Sequence, residues 1–568
     1  MTGIGGRLRA IALTSAAAAS FGVAVSRADA PPLLLFNANI VTGEDAGPGA
    51  EAVLAIDGRI AYVGTQAGAK ERAPAGTRQV DLKGMTVLPG LADAHAHLAG
   101  IGGRELNFDL TGVESLAALK ARLRERAAMD RDQWIVGRGW IESKWTPAQF
   151  PTREDLDQAV PNRPVVLERA DGHAVVVNSM ALTLAAIGSG TPDPPGGRIL
   201  RDPQSGAPTG MLIDTAMDLV QRLVPVPSDE NLARALEAGA KRSIELGWTQ
   251  LQIAGTSWRE IDQLCRLYAA GRIKLRLYTA IGGPGADAER LLAAGPKQAS
   301  CDPRLTVRSI KLYIDGALGS RGAALFEPYS DAPGQTGLLV NAPDEILRVA
   351  IAGLRSGIQV QTHAIGDRGN RIVLDQYEKA LAAVPAAERA VTEPRFRIEH
   401  AQVISAADMP RFRQLGVIAS MQTSHAISDM LFAPARLGPG RIAGAYAWRS
   451  LLDAGAVIAG GSDAPVEKGD PLVEFYAAVA RRTLEGFAGP DWGLDQRLSR
   501  AEALAVLTAG PAYAAFEEDE RGTIEVGKLA DFSVFSADLM RMPEAEIPRA
   551  RATMTVIGGE VVYSTLGD

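Results

Sequence analysis

Seven apolar runs of strand length recur between Thr249 and Gly460, and this recurrence constrains the fold more than any other feature. They are Thr249 to Ile253, Leu275 to Ala280, Thr306 to Ile314, Ile358 to His363, Phe396 to His400, Val417 to Met421 and Val457 to Gly460. Segments between them, such as Asp344 to Ser356 and Arg371 to Ala383, carry a helical period. Strands alternating with helices over this length argue for parallel β/α structure. An earlier apolar run, Met85 to Leu88, brings the strand count to eight. The pattern therefore predicts an α/β chain whose residues 85–514 form a closed (β/α)8 barrel of TIM type.

That span exceeds the usual ~250 residues of such a barrel, so an insertion is expected after the first barrel strand. Residues 134–226 fit it: Pro and Gly are frequent, strands such as Pro164 to Leu167 are short, and periodicity is poor. A helix with Leu116, Leu119 and Leu123 on one face precedes this stretch. Another follows Ser228, a plausible N-cap, with Leu232, Leu236 and Ala240 aligned and Gly247 closing it. Both ends of the chain read as short β-strands instead. Val53 to Ile56 and Ile60 to Val63 flank Asp57-Gly58, and Met554 to Ile557 and Val561 to Tyr563 flank Gly558-Gly559. Residues 31–84 and 515–568 are expected to build one small β-sandwich together.

Polar residues gather where the barrel strands end. His95-Ala-His97 follows Met85 to Leu88 and the break at Pro89-Gly90. In extended backbone, residues i and i+2 point to one side, so both imidazoles can face one point. Converging neutral imidazoles suit a divalent metal, zinc above all. Lys311 lies in the strand Ser309 to Ile314; His363, His400 and Asp463 close later ones. Barrel enzymes draw their sites from such strand ends. Taken singly, each residue also has a plain reading as a helix cap, a satisfied interior histidine or a snorkelling lysine.

The chain has 568 residues, 46% of them hydrophobic, and a formal net charge of −7, so it can bury a large core and has no basic nucleic-acid footprint. Neither a polybasic patch nor a second long apolar stretch points to a membrane. Cys265 and Cys301 form neither a CxxC pair nor a disulfide framework. Metal ligands must then come from His, Asp, Glu or Lys, and there are only six histidines. Arg7 and Arg9 precede an Ala-rich apolar stretch, and Ala28-Asp29-Ala30 supplies an A-x-A pattern. Residues 1–30 are therefore expected to be a secretory leader cleaved after Ala30, sending the protein to the periplasm or outside.

The stretches LPGLADAHAHL, SIKLYIDGALGSRGAAL, QTHAIGDRGN, RIEHAQ and GGSDAPV resemble the amidohydrolase superfamily. They are closest to its family-3 branch of YtcJ-like and N-substituted-formamide-deformylase-like proteins. The resemblance spans the mature chain, including the closing GTIEVGKLADFSVF. It implies that His95, His97 and Asp463 hold one divalent metal, and that His363 and His400 hold a second. Lys311, carboxylated by CO2, would bridge the two ions; an unmodified ammonium has no lone pair to offer. Hydroxide generated at the metal would attack an amide carbonyl, with Asp463 as proton shuttle.

The implied reaction is hydrolysis of a non-peptide C–N bond in a small amide, N-formyl or N-acyl compound. A mononuclear deaminase or cyclic-amide hydrolase, and a barrel that only binds ligand, are the competing readings. His173 in the insertion, His425, Arg321 and Trp140 are candidates for substrate contact. A loop ion pair is at least as good a reading of Arg321 and Asp315, and core packing is the safer default for Trp140. Gly322, Ala464, and Gln252 and Gly255 in GWTQLQIAG depart from the branch's pattern near the expected pocket. No partner beyond the substrate is implied; a homo-oligomer is left open.

Overall fold

The computed structural model describes residues 31–43, 49–106, 108–129, 133–142, 145–170, 172, 174–194, 197–298, 301–490 and 492–566. The expected leader (1–30) and His173 lie outside them.

Eight parallel strands form the barrel: β1 Leu91–Ala96, β2 Trp248–Thr256, β3 Arg276–Gly282, β4 Leu305–Tyr313, β5 Gln359–Ala364, β6 Arg397–His400, β7 Ile418–Gln422 and β8 Ile458–Gly461. Each pairs with the next in register, so that Lys311 lies beside Gln361, Tyr313 beside His363, and Ala364 beside His400. The two ends of the ladder meet where Asp463 N donates to His95 O at 2.7 Å. Gly461 permits that approach, because a Cβ there would stand 2.4 Å from His95 N. Outside, helices such as Asp229–Glu245 and Pro343–Ser356 lay their apolar faces on the barrel; Leu232, Leu236, Ile346 and Val349 are all buried.

The first barrel strand is not the one expected. Met85 to Leu88 falls in a strand, Thr86–Pro89, that pairs antiparallel with Phe532–Phe535. It belongs to a five-stranded sheet with Asn39–Ile40, Ala552–Ile557 and Glu560–Ser564. The barrel begins one residue later, after Gly90. Leu91–Ala96 carries Asp93 and His95 and so does not read as an apolar run, whereas Met85 to Leu88 does, and periodicity cannot say which sheet each segment joins. The five-stranded sheet faces a four-stranded one built from Leu33–Phe36, Ala52–Ile56, Arg59–Gly64 and Arg78–Asp81. Leu35, Val53, Val87, Phe532 and Val534 fill the space between. Asp57 and Gly58 both take positive φ, 51° and 76°, as the two-residue hairpin demands.

A six-stranded sheet running from Phe108 to Asp214 forms the insertion. The helix Leu116–Met129 packs onto it through Leu119 and Leu123, against Trp140, Trp145 and Leu167. Cys265 and Cys301 are joined in a disulfide, contrary to the sequence reading. One βα repeat carries the chain away and back, so residues 36 apart return with Cα atoms 5.6 Å from each other. Among the described residues no helix is long and apolar enough to cross a membrane.

Candidate metal centre

His95 projects from the end of β1 and His97 from just beyond it. His363 ends β5 one residue early, His400 is the last residue of β6, and Asp463 follows β8 by two. These strand ends bring the side chains together at one mouth of the barrel. Ligand atoms of His95, His400 and Asp463 lie within 4.8 Å of one another, all three residues buried. Asp463 Oδ1 stands 3.5 Å from His95 Nε2 and 3.1 Å from His97 Nε2. The His363 and His400 ring centres are 4.5 Å apart, and Lys311 Nζ is 3.4 Å from His95 Nε2. His400 (φ 72°), Ala401 (φ 42°) and Asp463 (φ 58°) adopt left-handed backbone that non-glycine residues seldom take, and such strain concentrates at functional sites.

The electrostatics favour metal binding. Burial, with the Lys311 ammonium adding to it, pushes His95 down to about 4 and His363 to about 3; burial also holds His400 well below its ordinary value. All three imidazoles are therefore neutral near pH 7 and have a lone pair to offer. Burial alone would raise Asp463, but the surrounding histidines keep it well below the usual carboxylate range. Lys311, fully buried, is lowered to about 8, so a fraction of it is free amine at neutral pH.

Hydrogen bonds then decide which nitrogen faces inward. Glu399 Oε2 meets His95 Nδ1, and a carboxylate only accepts, so the proton sits on Nδ1 and Nε2 is free. Gln422 Oε1 accepts from His400 Nδ1 at 2.8 Å with the same result. His363 Nε2 and His425 Nε2 are buried with no hydrogen-bond partner. The orphaned His363 nitrogen, facing neutral histidines and an ionised aspartate, fits a divalent ion of the zinc type.

The substrate-contact candidates separate. His425 stays with the cluster, stacked 5.9 Å from His400 and with Nε2 3.7 Å from Asp463 Oδ2. Arg321 pairs through Nε and Nη2 with Asp331, at 3.1 and 2.9 Å, as a loop ion pair would. Trp140 does not line the entrance: it is 0% exposed, and its indole donates to Leu167 O inside the insertion's own core. A large apolar ring is worth more buried there than at a wet rim. Asp315 spends its oxygens on Ala324 N, Ile365 N and Gly366 N, which braces the loops beside His363. Sequence reasoning gave no role to Glu399, Gln422 or Asp93. Asp93 accepts from Ser462 Oγ at 2.5 Å and from His95 N at 3.0 Å, clamping β1 to the Asp463 turn. The signal available for Glu399 was a charged pair, Arg397 and Glu399, inside a four-residue buried strand.

Comparison with known proteins decides the family, whose model, described as the amidohydrolase family, matches residues 78–563. The chain belongs to amidohydrolase family 3. This amidohydrolase is 32% identical to YtcJ of Bacillus subtilis (strain 168) over 535 residues, 92% of this chain and 98% of that one. It is 29% identical to the N-substituted formamide deformylase of Arthrobacter pascens, covering 94% of this chain and 99% of the relative. A crystal structure of an uncharacterized metal-dependent hydrolase from Pyrococcus furiosus superposes with a TM-score of 0.72 at 28% identity, over 90% of this chain and all of the other.

Proposed function

We propose that this amidohydrolase is an exported, metal-dependent hydrolase of a non-peptide C–N bond in a small amide, N-formyl or N-acyl compound. The observation that carries the reading is the convergence of His95, His400 and Asp463, with His97, His363 and Lys311 beside them, at one mouth of the barrel. The formamide deformylase among its relatives supports the bond class. His95, His97 and Asp463 would hold one ion; His363 and His400 would hold a second, bridged by a carboxylated Lys311. Such an ion supplies acidified water and a polarised carbonyl oxygen.

The remaining work falls to the protein. Asp463, ionised and within reach of three histidines, takes the proton of the attacking water and returns it to the leaving nitrogen. His425 Nε2, buried and unpaired, is positioned to donate to the developing oxyanion. The free amine of Lys311 is the form that adds to CO2, losing one proton to give the carbamate. Export is supported by the Cys265–Cys301 disulfide, which persists in oxidising compartments. A mononuclear site has its own support, because only His95, His400 and Asp463 among the described residues form one tight ligand group.

The test is metal analysis of the purified chain with a panel of N-formyl, N-acyl-amino-acid, aryl-amide and cyclic-amide compounds in the presence of Zn2+. About two ions per chain with turnover of an acyclic amide is the expected outcome. About one ion with turnover of a cyclic amide or an amino-heterocycle would favour the mononuclear reading. A chain that binds no metal and turns nothing over would refute both.

A further inference from the structure

The barrel interior is unusual. Barrels of this type ordinarily fill their axis with layers of Val, Ile and Leu. Here Gln252, Gln361, Arg397, Glu399 and Ser420 are buried to 2% exposure or less, with Lys311 beside them. The second glutamine of GWTQLQIAG, Gln252, finds its place in this axis. Gln252 Oε1, on β2, accepts from Arg397 Nη1, on β6, at 2.5 Å. Those strands are not neighbours in the sheet, so the bond crosses the barrel.

Arg397 is held on four sides. It donates through Nε to Glu399 Oε1 at 2.7 Å, and through Nη2 to Ser420 Oγ at 2.8 Å and Ala94 O at 2.5 Å. The fourth contact is Gln252. That amide cannot flip, because its Nε2 donates to Pro511 O at 2.8 Å, which leaves Oε1 for the guanidinium. Glu399 in turn offers Oε2 to His95 Nδ1. A buried ion pair contributes little net stability over apolar packing, so its presence along the axis calls for a role in specificity of geometry.

We propose that Gln252, Arg397 and Glu399 act in series as positioning residues for His95, with Gln252 as the anchor furthest from the metal centre. Glu399 keeps the proton on Nδ1 and aims the Nε2 lone pair at Asp463 and His400. Arg397 sets the angle of Glu399, and Gln252 sets Arg397. The inference rests on the metal-site reading above, and the wild-type arm of the experiment separates the two.

The experiment uses the full mature chain, stripped of metal, with Zn2+ affinity measured by chelator competition and Co2+ absorption as a ligand-field signature. Glu399→Gln is expected to weaken Zn2+ binding about 10–100-fold, the usual loss when a ligating histidine's partner is changed. Gln252→Met, which touches neither metal nor ligand, is expected to weaken it about 5-fold, part of the worth of a hydrogen bond to a charged group. Because the residues act in series, the double variant should bind no more weakly than Glu399→Gln alone. The Co2+ bands should shift in both single variants. Unchanged affinity in folded single variants, or losses that simply add, would overturn the series. If Glu399→Gln does not fold, Arg397→Lys replaces it; it removes the Nη1 that Gln252 holds, so the same failure to add to Gln252→Met is expected. A wild-type chain that binds no Zn2+ breaks the metal reading itself, and this inference falls with it.

Discussion

The barrel interior and the insertion are both tightly packed, yet they are filled by opposite chemistry. The insertion sheet closes over Trp140, Trp145, Leu119, Leu123 and Leu167. Among its described residues Asn178 is the single buried polar side chain, and that one caps a helix through Ala181 N. The barrel axis buries an arginine, a glutamate, a lysine and several glutamines, and of these Glu399, Lys311 and Gln422 touch the histidine cluster directly. Apolar packing supplies the insertion's stability at little cost in desolvation. Polar packing along the axis is justified only by what it orients. The comparison teaches that the described core of the insertion is packed as a scaffold, while the histidine cluster is braced from within the barrel.

Two substitutions should split these regions, the first with the larger effect. Asp463→Asn removes the proton carrier while preserving size. We expect kcat on the best substrate of the panel to fall by about 10²–10⁴-fold, the range for loss of a general acid–base group. Its far-UV circular dichroism should match wild type. Turnover at the wild-type rate would end the proton-shuttle assignment and leave Asp463 with at most a part in holding the metal. Trp140→Ala should do the reverse. Emptying a fully buried indole site destabilises by about 3–5 kcal/mol, read by chemical denaturation, with Zn2+ affinity unchanged. A loss of affinity at native conditions would mean that the insertion helps to shape the metal centre, and the division drawn here would fail.

Much of this was readable from residue order, and the gaps have physical causes. Seven of the eight barrel strands are legible to within one to three residues, since buried parallel strands read as near-continuous apolar runs. The first barrel strand is misplaced because Leu91–Ala96, interrupted by Asp93 and His95, is less apolar than Thr86–Pro89, which pairs instead with Phe532–Phe535, more than four hundred residues away. The strand-end residues His95, His97, Lys311, His363, His400 and Asp463 all arrive at one mouth. Trp140 was misjudged because an indole suits a pocket rim and a core equally well until its burial is known. Glu399 carries no signal of its role beyond the charged pair with Arg397, and Gln252 shows only as a departure from the family pattern, because their partners lie across the barrel and no spacing rule links residues in strands that are not neighbours. The disulfide escaped for the same reason: proximity of Cys265 to Cys301 is a property of the βα repeat.

The smallest effect tests how far polar burial extends behind the site. Glu474 lies in the helix Pro471–Ala480 and is 1% exposed. Burial raises its carboxyl to about 8, with the charge of Glu467 adding to it and hydrogen bonds from Ser424 N and Thr423 offsetting only part. Thr423 Oγ1 lies 2.7 Å from the Glu474 backbone oxygen and 2.9 Å from Oε2. Its one proton serves the backbone, and a protonated carboxyl supplies the other bond. The sign follows from this. Between the ordinary value of 4.5 and about 8 the folded state holds a proton that the unfolded state has released. Stability from Glu474 is thus fully present below 4.5 and is lost as pH rises through about 8, by at most about 1.4 kcal/mol per pH unit. Glu474→Gln keeps the size, supplies an N–H donor and cannot ionise. The melting temperature of the variant relative to wild type should therefore climb from pH 5 to about pH 8 and level off above it. Parallel melting curves across that range would show that Glu474 is ionised in the fold throughout, and that polar burial behind His425 is as fully compensated as it is at Asn178.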